Sequence, residues 1–216
     1  MTAQIGDVYK YRDRQYTIVD MTNPINFHPK EYGLTPHSRC TACWNGFWCE
    51  YNLNSNVLLL ENLYMFNEDN NYPPLNGVEV SPATFTEVKG YSGKKKKADT
   101  FTMPDYMGHR LYKDVNLEIP YTGHILVGDD FIWDYYIHMG YQRAWGYRQL
   151  IEFVFEEGIL LECNNHGNIA RQIRNIMKQG GADARFPLLS DISENIDPSL
   201  IEGSSKDLWW LNRRRR

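Results

Sequence analysis

The sequence predicts an α+β chain that is mostly β: antiparallel hairpins, with a weak internal duplication, and one amphipathic helix packed on the sheet. Three observations carry that expectation. Short runs rich in β-branched and aromatic residues, bounded by turn residues, dominate the first two thirds of the chain. Aromatic residues make up 14%, with 15 tyrosines among 216 residues, and tyrosine suits half-buried strands and amphipathic contact surfaces. Helical periodicity is plain only once, after residue 167. A chain this long can bury most of the surface its unfolded form exposes, so it needs neither disulfides nor a metal to fold.

Residues 15–20 (QYTIVD) read as the first strand. Residues 47–53 and 57–60 form a hairpin, because Asn54-Ser55-Asn56 tolerate the backbone angles of a tight turn. The stretch 67–77 (NEDNNYPPLNG) is a surface connection. Residues 84–88 and 115–119 alternate as half-buried strands should, and 89–99 (KGYSGKKKKAD) is a Gly- and Lys-rich loop between them. Residues 124–127 form a further strand ending at Gly128-Asp129-Asp130. A second hairpin joins 150–155 to 159–162 through Glu156-Glu157-Gly158, where glycine takes positive φ at little steric cost. The helix starts at an Asn168 cap, carries Ile169, Ile173, Ile176 and Met177 as its apolar stripe, and stops at Gly180-Gly181.

The two hairpins resemble each other. Each opens on Gly-aromatic (Gly46-Phe47, Gly146-Tyr147), has a tryptophan just upstream (Trp44, Trp145), and ends in a Val-Leu-Leu or Ile-Leu-Leu run. The expected organisation is one β-rich domain over 1–182, with halves 1–88 and 110–182 joined by the Gly/Lys-rich loop. A C-terminal extension, 183–216, wraps the core, docks its LWWL patch at 208–211 and ends in four arginines.

Formal net charge is −4, with a pI near 5.9. Eight of the 23 cations sit in two runs, Lys94–Lys97 and Arg213–Arg216, so the rest of the chain is more acidic still. That balance argues against a general nucleic-acid binder. The lysine run reads as a solvated loop, and the arginine tail beside LWWL offers at most a peripheral contact with an anionic membrane surface. The N-terminus has no apolar signal region, and no run reaches the roughly 20 apolar residues of a membrane span. The four cysteines are therefore expected as reduced thiols in a cytoplasm.

Cys40 and Cys43 have knuckle spacing, and Cys163 and His166 form a second pair. Together they are the ligand types of a tetrahedral zinc site. Zinc is thus the cofactor the sequence admits, although the pairs lie far apart in the chain and free cysteine commonly packs as a small hydrophobe. On the second reading, CTACWNGFWCEY (40–51) is structural, with Phe47, Cys49 and Tyr51 on one strand face and Trp48 and Glu50 on the other. Asp129-Asp130 with His138 and Glu152 make an acid–base cluster on paper. Turn chemistry accounts for the aspartates, and the polar phase of a strand accounts for Glu152. No G-x-S-x-G, Walker-type loop or H-E-x-x-H occurs.

The densest aromatic stretch lies between 133 and 147. Trp133, Tyr135, Tyr141, Arg143, Trp145 and Tyr147 are the candidate binding residues, since large amphipathic aromatics and arginine are what protein–protein hot spots favour. The functional expectation is a cytoplasmic, non-enzymatic protein that binds a protein partner, such as an immunity-like or inhibitor protein neutralising a basic target. The alternative is a zinc-containing enzyme or nucleic-acid-binding protein built on the Cys/His pairs and the basic runs.

Overall fold

The computed structural model describes residues 3–89, 99–104 and 108–179. The sequence-expected extension 183–216, its LWWL patch and both basic runs lie outside those residues. In chain order the strands are β1 (Val8–Tyr11), β2 (Arg14–Met21), β3 (Phe47–Asn54), β4 (Val57–Met65), β5 (Ser81–Pro82), β6 (Thr84–Lys89), β7 (Asp99–Pro104), β8 (Arg110–Tyr112), β9 (Leu117–Glu118), β10 (Gly123–Phe131), β11 (Tyr147–Glu156) and β12 (Ile159–Asn165). One helix, α1 (Gly167–Gln179), follows β12. The fold is α+β and mostly β, as the sequence predicts.

The main sheet runs β12-β11-β10-β2-β1-β3-β4, and a bridge between Ile159 of β12 and Val57 of β4 closes it into a ring. All neighbours in the ring are antiparallel except β1 and β3, which run parallel. Asp7 helps to set that pairing: its carboxylate accepts from the Cys49 amide at 2.8 Å and its carbonyl accepts from the Ile18 amide at 2.8 Å. β8, β9 and β5 extend the sheet beyond β4, and β6 and β7 form a separate two-stranded sheet.

The interior of the ring is rich in aromatic side chains. Tyr9, Tyr16, Tyr51, Phe153 and Phe155 fill it with Leu58, Leu60, Ile125 and Val127, as alternation along each strand requires. Tyr9 and Tyr11 both meet the Phe153 ring, at centroid distances of 4.6 and 4.9 Å. A bulge in β2 shifts the phase, pairing Leu126 with Asp20 but Val127 with Ile18. The extra residue lets both Val19 and Asp20 leave the interior, since a bulge sets two residues against one.

Outside the ring, α1 packs on β11. Ala170 and Ile173 bury against Val19, Leu126, Ala144, Trp145, Tyr147 and Leu150. The side chains of Ile176 and Met177 lie outside the described residues. The cap differs from expectation. Asn165 Oδ1 accepts from the Gly167 amide at 2.9 Å, and the His166 carbonyl accepts the first helical bonds, from Ile169 and Ala170. Asn168, two residues past the cap position, instead accepts from Arg171 at 3.1 Å.

Both expected hairpins form. Each has a two-residue turn with positive φ at both positions, Ser55-Asn56 (49° and 67°) and Glu157-Gly158 (47° and 81°), the geometry that matches strand twist. The turns meet at the ring closure, where Leu58 donates to the Gly158 carbonyl and Leu160 to that of Asn56, both at 2.8 Å. The surroundings of the hairpins differ: β3 lies beside a parallel strand, whereas β11 lies beside the antiparallel β10. The connection 67–77 is less superficial than its composition implies, because Leu75 is fully buried in the core and Asn67, at the start of the connection, is buried too. Among the described residues, no helix is long and apolar enough to cross a membrane.

Candidate functional site

The aromatic stretch 133–147 divides between core and surface. After β10 the chain makes one short helical turn at Trp133–Tyr135 and another at Ala144–Gly146 before entering β11. The second turn is folded inward. Trp145 and Tyr147 are buried beneath α1, and Arg143 is buried with them. Tyr135 packs edge-on against Trp145 at 5.0 Å. Two glycines permit this packing: a Cβ on Gly128 would lie 2.5 Å from the Tyr147 ring, and one on Gly146 would lie 2.8 Å from the Phe131 ring. Trp145 and Tyr147 therefore help to seat α1 on the sheet, with Tyr135 packed against Trp145. Strand alternation identifies a face but not what covers it, and here the cover is α1.

Trp133 and Tyr141 do reach the surface, the former 74% exposed. Tyr136 and Met139 are exposed on the same loop, and Trp133 and Tyr136 rings lie 5.6 Å apart. The N-terminal segment joins this loop to CTACWNGFWCEY. Gln4 donates to the Gly140 carbonyl at 2.9 Å, and Ile5 donates to the Ala42 carbonyl at 2.8 Å. The Gln4 amide also bonds Thr41 and Trp44. Ile5 and Trp44 are both exposed. Ile5, Trp44, Met139 and Tyr141 thus sit on three segments bonded to one another. Ile5 and Met139 carried no local signal, since nothing in sequence places residues 5, 44 and 139 together.

The structure does not gather the expected zinc ligands. Cys43 packs with Trp48, Tyr64, Ala83 and Leu111, and Cys40 lies against the same group. Burial, with Cys40 nearby, pushes the Cys43 thiol up to about 11. Cys163 is exposed on β12, opposite Phe153. His166 is buried and bonded to Glu152. Among the described residues, no three His, Cys, Asp or Glu side chains are grouped to hold a metal. The stretch 40–51 is built as a strand entry, with Phe47, Cys49 and Tyr51 toward the ring interior and Trp48 on the other face. Burial pushes the Cys49 thiol well above its ordinary range.

Glu152 is the most constrained ionisable group outside the ring. It is buried, contrary to its expected place on a polar face. Its carboxylate contacts His124 Nδ1 at 2.8 Å, His166 Nε2 at 3.0 Å and the Asn164 amide at 3.4 Å. The His166 hydrogen bond is the largest influence, and with the His124 and Asn164 bonds it overcomes burial and holds the carboxyl at about 2. An ionised carboxylate only accepts, so both rings donate to it: His124 from Nδ1, His166 from Nε2. The cluster ties β10, β11, β12 and the start of α1 together. Asp129, Asp130 and His138 do not join it. Asp129 faces Arg14 at 3.6 Å, Asp130 pairs with Arg148 at 2.7 Å, and His138 packs edge-on to Tyr136.

Comparison with family profiles, with curated proteins and with solved structures finds no match to this chain.

Proposed function

We propose that the chain is a non-enzymatic interaction protein that docks a protein partner through the surface formed by Ile5, Trp44, Met139 and Tyr141. The observation that supports this reading is the exposure of four large apolar side chains on three segments held together by backbone and amide hydrogen bonds. Large contiguous apolar exposure on a folded domain marks an interaction site, and Trp and Tyr are the residues that hot spots enrich. The acidic balance of the chain outside its two basic runs fits a basic partner, as an inhibitor or immunity-like role would require. The four cysteines are free, which fits a reducing, cytoplasmic setting.

The test is affinity capture from the native host with the full chain, followed by cross-linking of any identified partner. The expected result is a partner with a basic surface, cross-linked to residues 41–44 or 136–141. Its affinity should fall at least tenfold in Trp44→Ala or Met139→Asp, about 1.4 kcal/mol. Cross-links confined to another surface, or full affinity in both variants, would reject the reading.

A further inference from the structure

Where α1 meets the turn at Ala144–Gly146 and the start of β11, hydrogen-bond donors outnumber their acceptors. α1 leaves Arg171 at the surface and turns Arg174 inward, where it is buried. A guanidinium carries five N–H donors. Arg174 commits Nη1 to the Trp145 and Tyr147 carbonyls, at 2.5 and 2.7 Å, which fixes the plane of the group. The other edge, Nε–H with Nη2–H, makes no bond among the described residues and keeps contact with solvent. That edge is the fork that takes two oxygens of one carboxylate or phosphate.

No carboxylate answers the charge. Among the described residues neither Arg171 nor Arg174 forms an ion pair: Arg171 donates to the Asn168 amide oxygen at 3.1 Å, and Arg174 to backbone carbonyls. Arg148 is a third guanidinium within electrostatic reach, but Asp130 neutralises it at 2.7 Å. Burial lowers the pKa of Arg174, Tyr135 opposes that change, and Arg148 and Arg171 add to it. A buried cation without a counter-charge is costly. Trp145 contributes one more donor. Its indole Nε1–H is buried without an acceptor, whereas a buried N–H ordinarily has one. Tyr135 packs edge-on against that indole at 5.0 Å and is also within electrostatic reach of Arg174.

We propose that this face binds the phosphate monoester group of a small molecule, held by the free edge of Arg174 and by Arg171, with Tyr135 turned aside to admit one oxygen to the Trp145 N–H. The groups left without partners are donors, so the ligand they fit is an acceptor: an anion. Two guanidiniums without carboxylates fit a dianion, and a phosphate monoester carries about −1.5 to −2 near neutrality on three acceptor oxygens. A carboxylate or a phosphodiester carries one negative charge and leaves one guanidinium uncompensated. A nucleic-acid backbone presents diesters, and Arg174 is buried rather than raised on the surface, so this face does not suit a duplex. It shares no residue with the Ile5, Trp44, Met139 and Tyr141 surface, so the two readings fail separately.

The test titrates inorganic phosphate and methyl phosphate into the full chain by calorimetry near neutral pH, with dimethyl phosphate and acetate as monoanionic controls. Two variants are compared after circular dichroism confirms their fold. Arg171→Gln alters an exposed side chain, and Trp145→Phe keeps an aromatic ring while removing the N–H. The expected result is saturable binding of both phosphates, about tenfold tighter than either control. Arg171→Gln should weaken it about tenfold, the effect of one lost charged hydrogen bond, and Trp145→Phe about threefold, the effect of a neutral one. Binding of the phosphates weaker than about 10 mM, equal binding of acetate or dimethyl phosphate, or full affinity in both variants would each overturn the proposal.

Discussion

Glu152 is the residue on which most local structure converges. Its carboxyl sits at about 2, against an ordinary value of 4.5. A depressed carboxyl contributes stability that is fully present above the unfolded value and is lost as pH falls through the folded one. The window is therefore pH 4.5 down to about 2, and the shift corresponds to about 3 kcal/mol. Glu152→Gln keeps the shape but removes the charge, so both imidazoles lose an ionised acceptor. The variant is expected to be about 2–3 kcal/mol less stable near neutrality, with a smaller loss of stability between pH 4.5 and 2. Urea unfolding of both proteins across that range checks it. Equal stability at pH 7 would mean that the cluster is not holding α1 to the sheet. In sequence, Glu152 reads as the polar phase of a strand, because its three partners come from other elements: His124 on β10, Asn164 on β12 and His166 at the helix cap.

The two hairpins show what one element can reveal about itself. Asn54-Ser55-Asn56 and Glu156-Glu157-Gly158 announce their turns, because positive φ selects for Gly and Asn within a few residues. The split of Phe47, Cys49 and Tyr51 from Trp48 is likewise set by strand alternation alone. The parallel pairing of β1 with β3, the addition of β8 and β9 to β4, and the coverage of Trp145 by α1 have no such local mark. Each depends on which distant segment arrives. At the second turn, Gly158 is doubly required: its φ is +81°, and a Cβ would lie 2.5 Å from the Ile119 carbonyl oxygen. Gly158→Ala is expected to cost more than the ~1–2 kcal/mol of a left-handed alanine, because the clash is with backbone. Glu157, at φ 47°, lacks the local bonding that lets Asn accept this region. Glu157→Asn is expected to gain about 0.5–1 kcal/mol. Opposite shifts in the thermal midpoints of the two variants would bear out both expectations. A neutral Gly158→Ala would show that the turn does not need to lie so close to the Ile119 carbonyl.

At the scale of the molecule, the ring closes through one bridge, Ile159 with Val57, and several charges on its surface pair with one another. Lys10 is held by Glu50 and Glu61, Arg14 faces Asp129, and Arg148 pairs with Asp130. Arg174 is buried and donates to the Trp145 and Tyr147 carbonyls at 2.5 and 2.7 Å. A phosphate backbone approaching the described surface would have to displace these carboxylates and carbonyls, and it would meet an acidic field while doing so. The two basic runs at 94–97 and 213–216 hold eight of the 23 lysines and arginines. Runs of this kind supply the salt-sensitive, sequence-independent part of binding. The full chain is therefore expected to bind a short labelled duplex of DNA or RNA no more tightly than about 10⁻⁴ M at physiological salt, the weak end of non-specific binding. Fluorescence anisotropy over a salt series measures this directly. Micromolar or tighter binding at about 0.15 M salt, weakened when Lys94–Lys97 are changed to Gln, would show that the basic runs outweigh the acidic body and would make nucleic acid the principal partner.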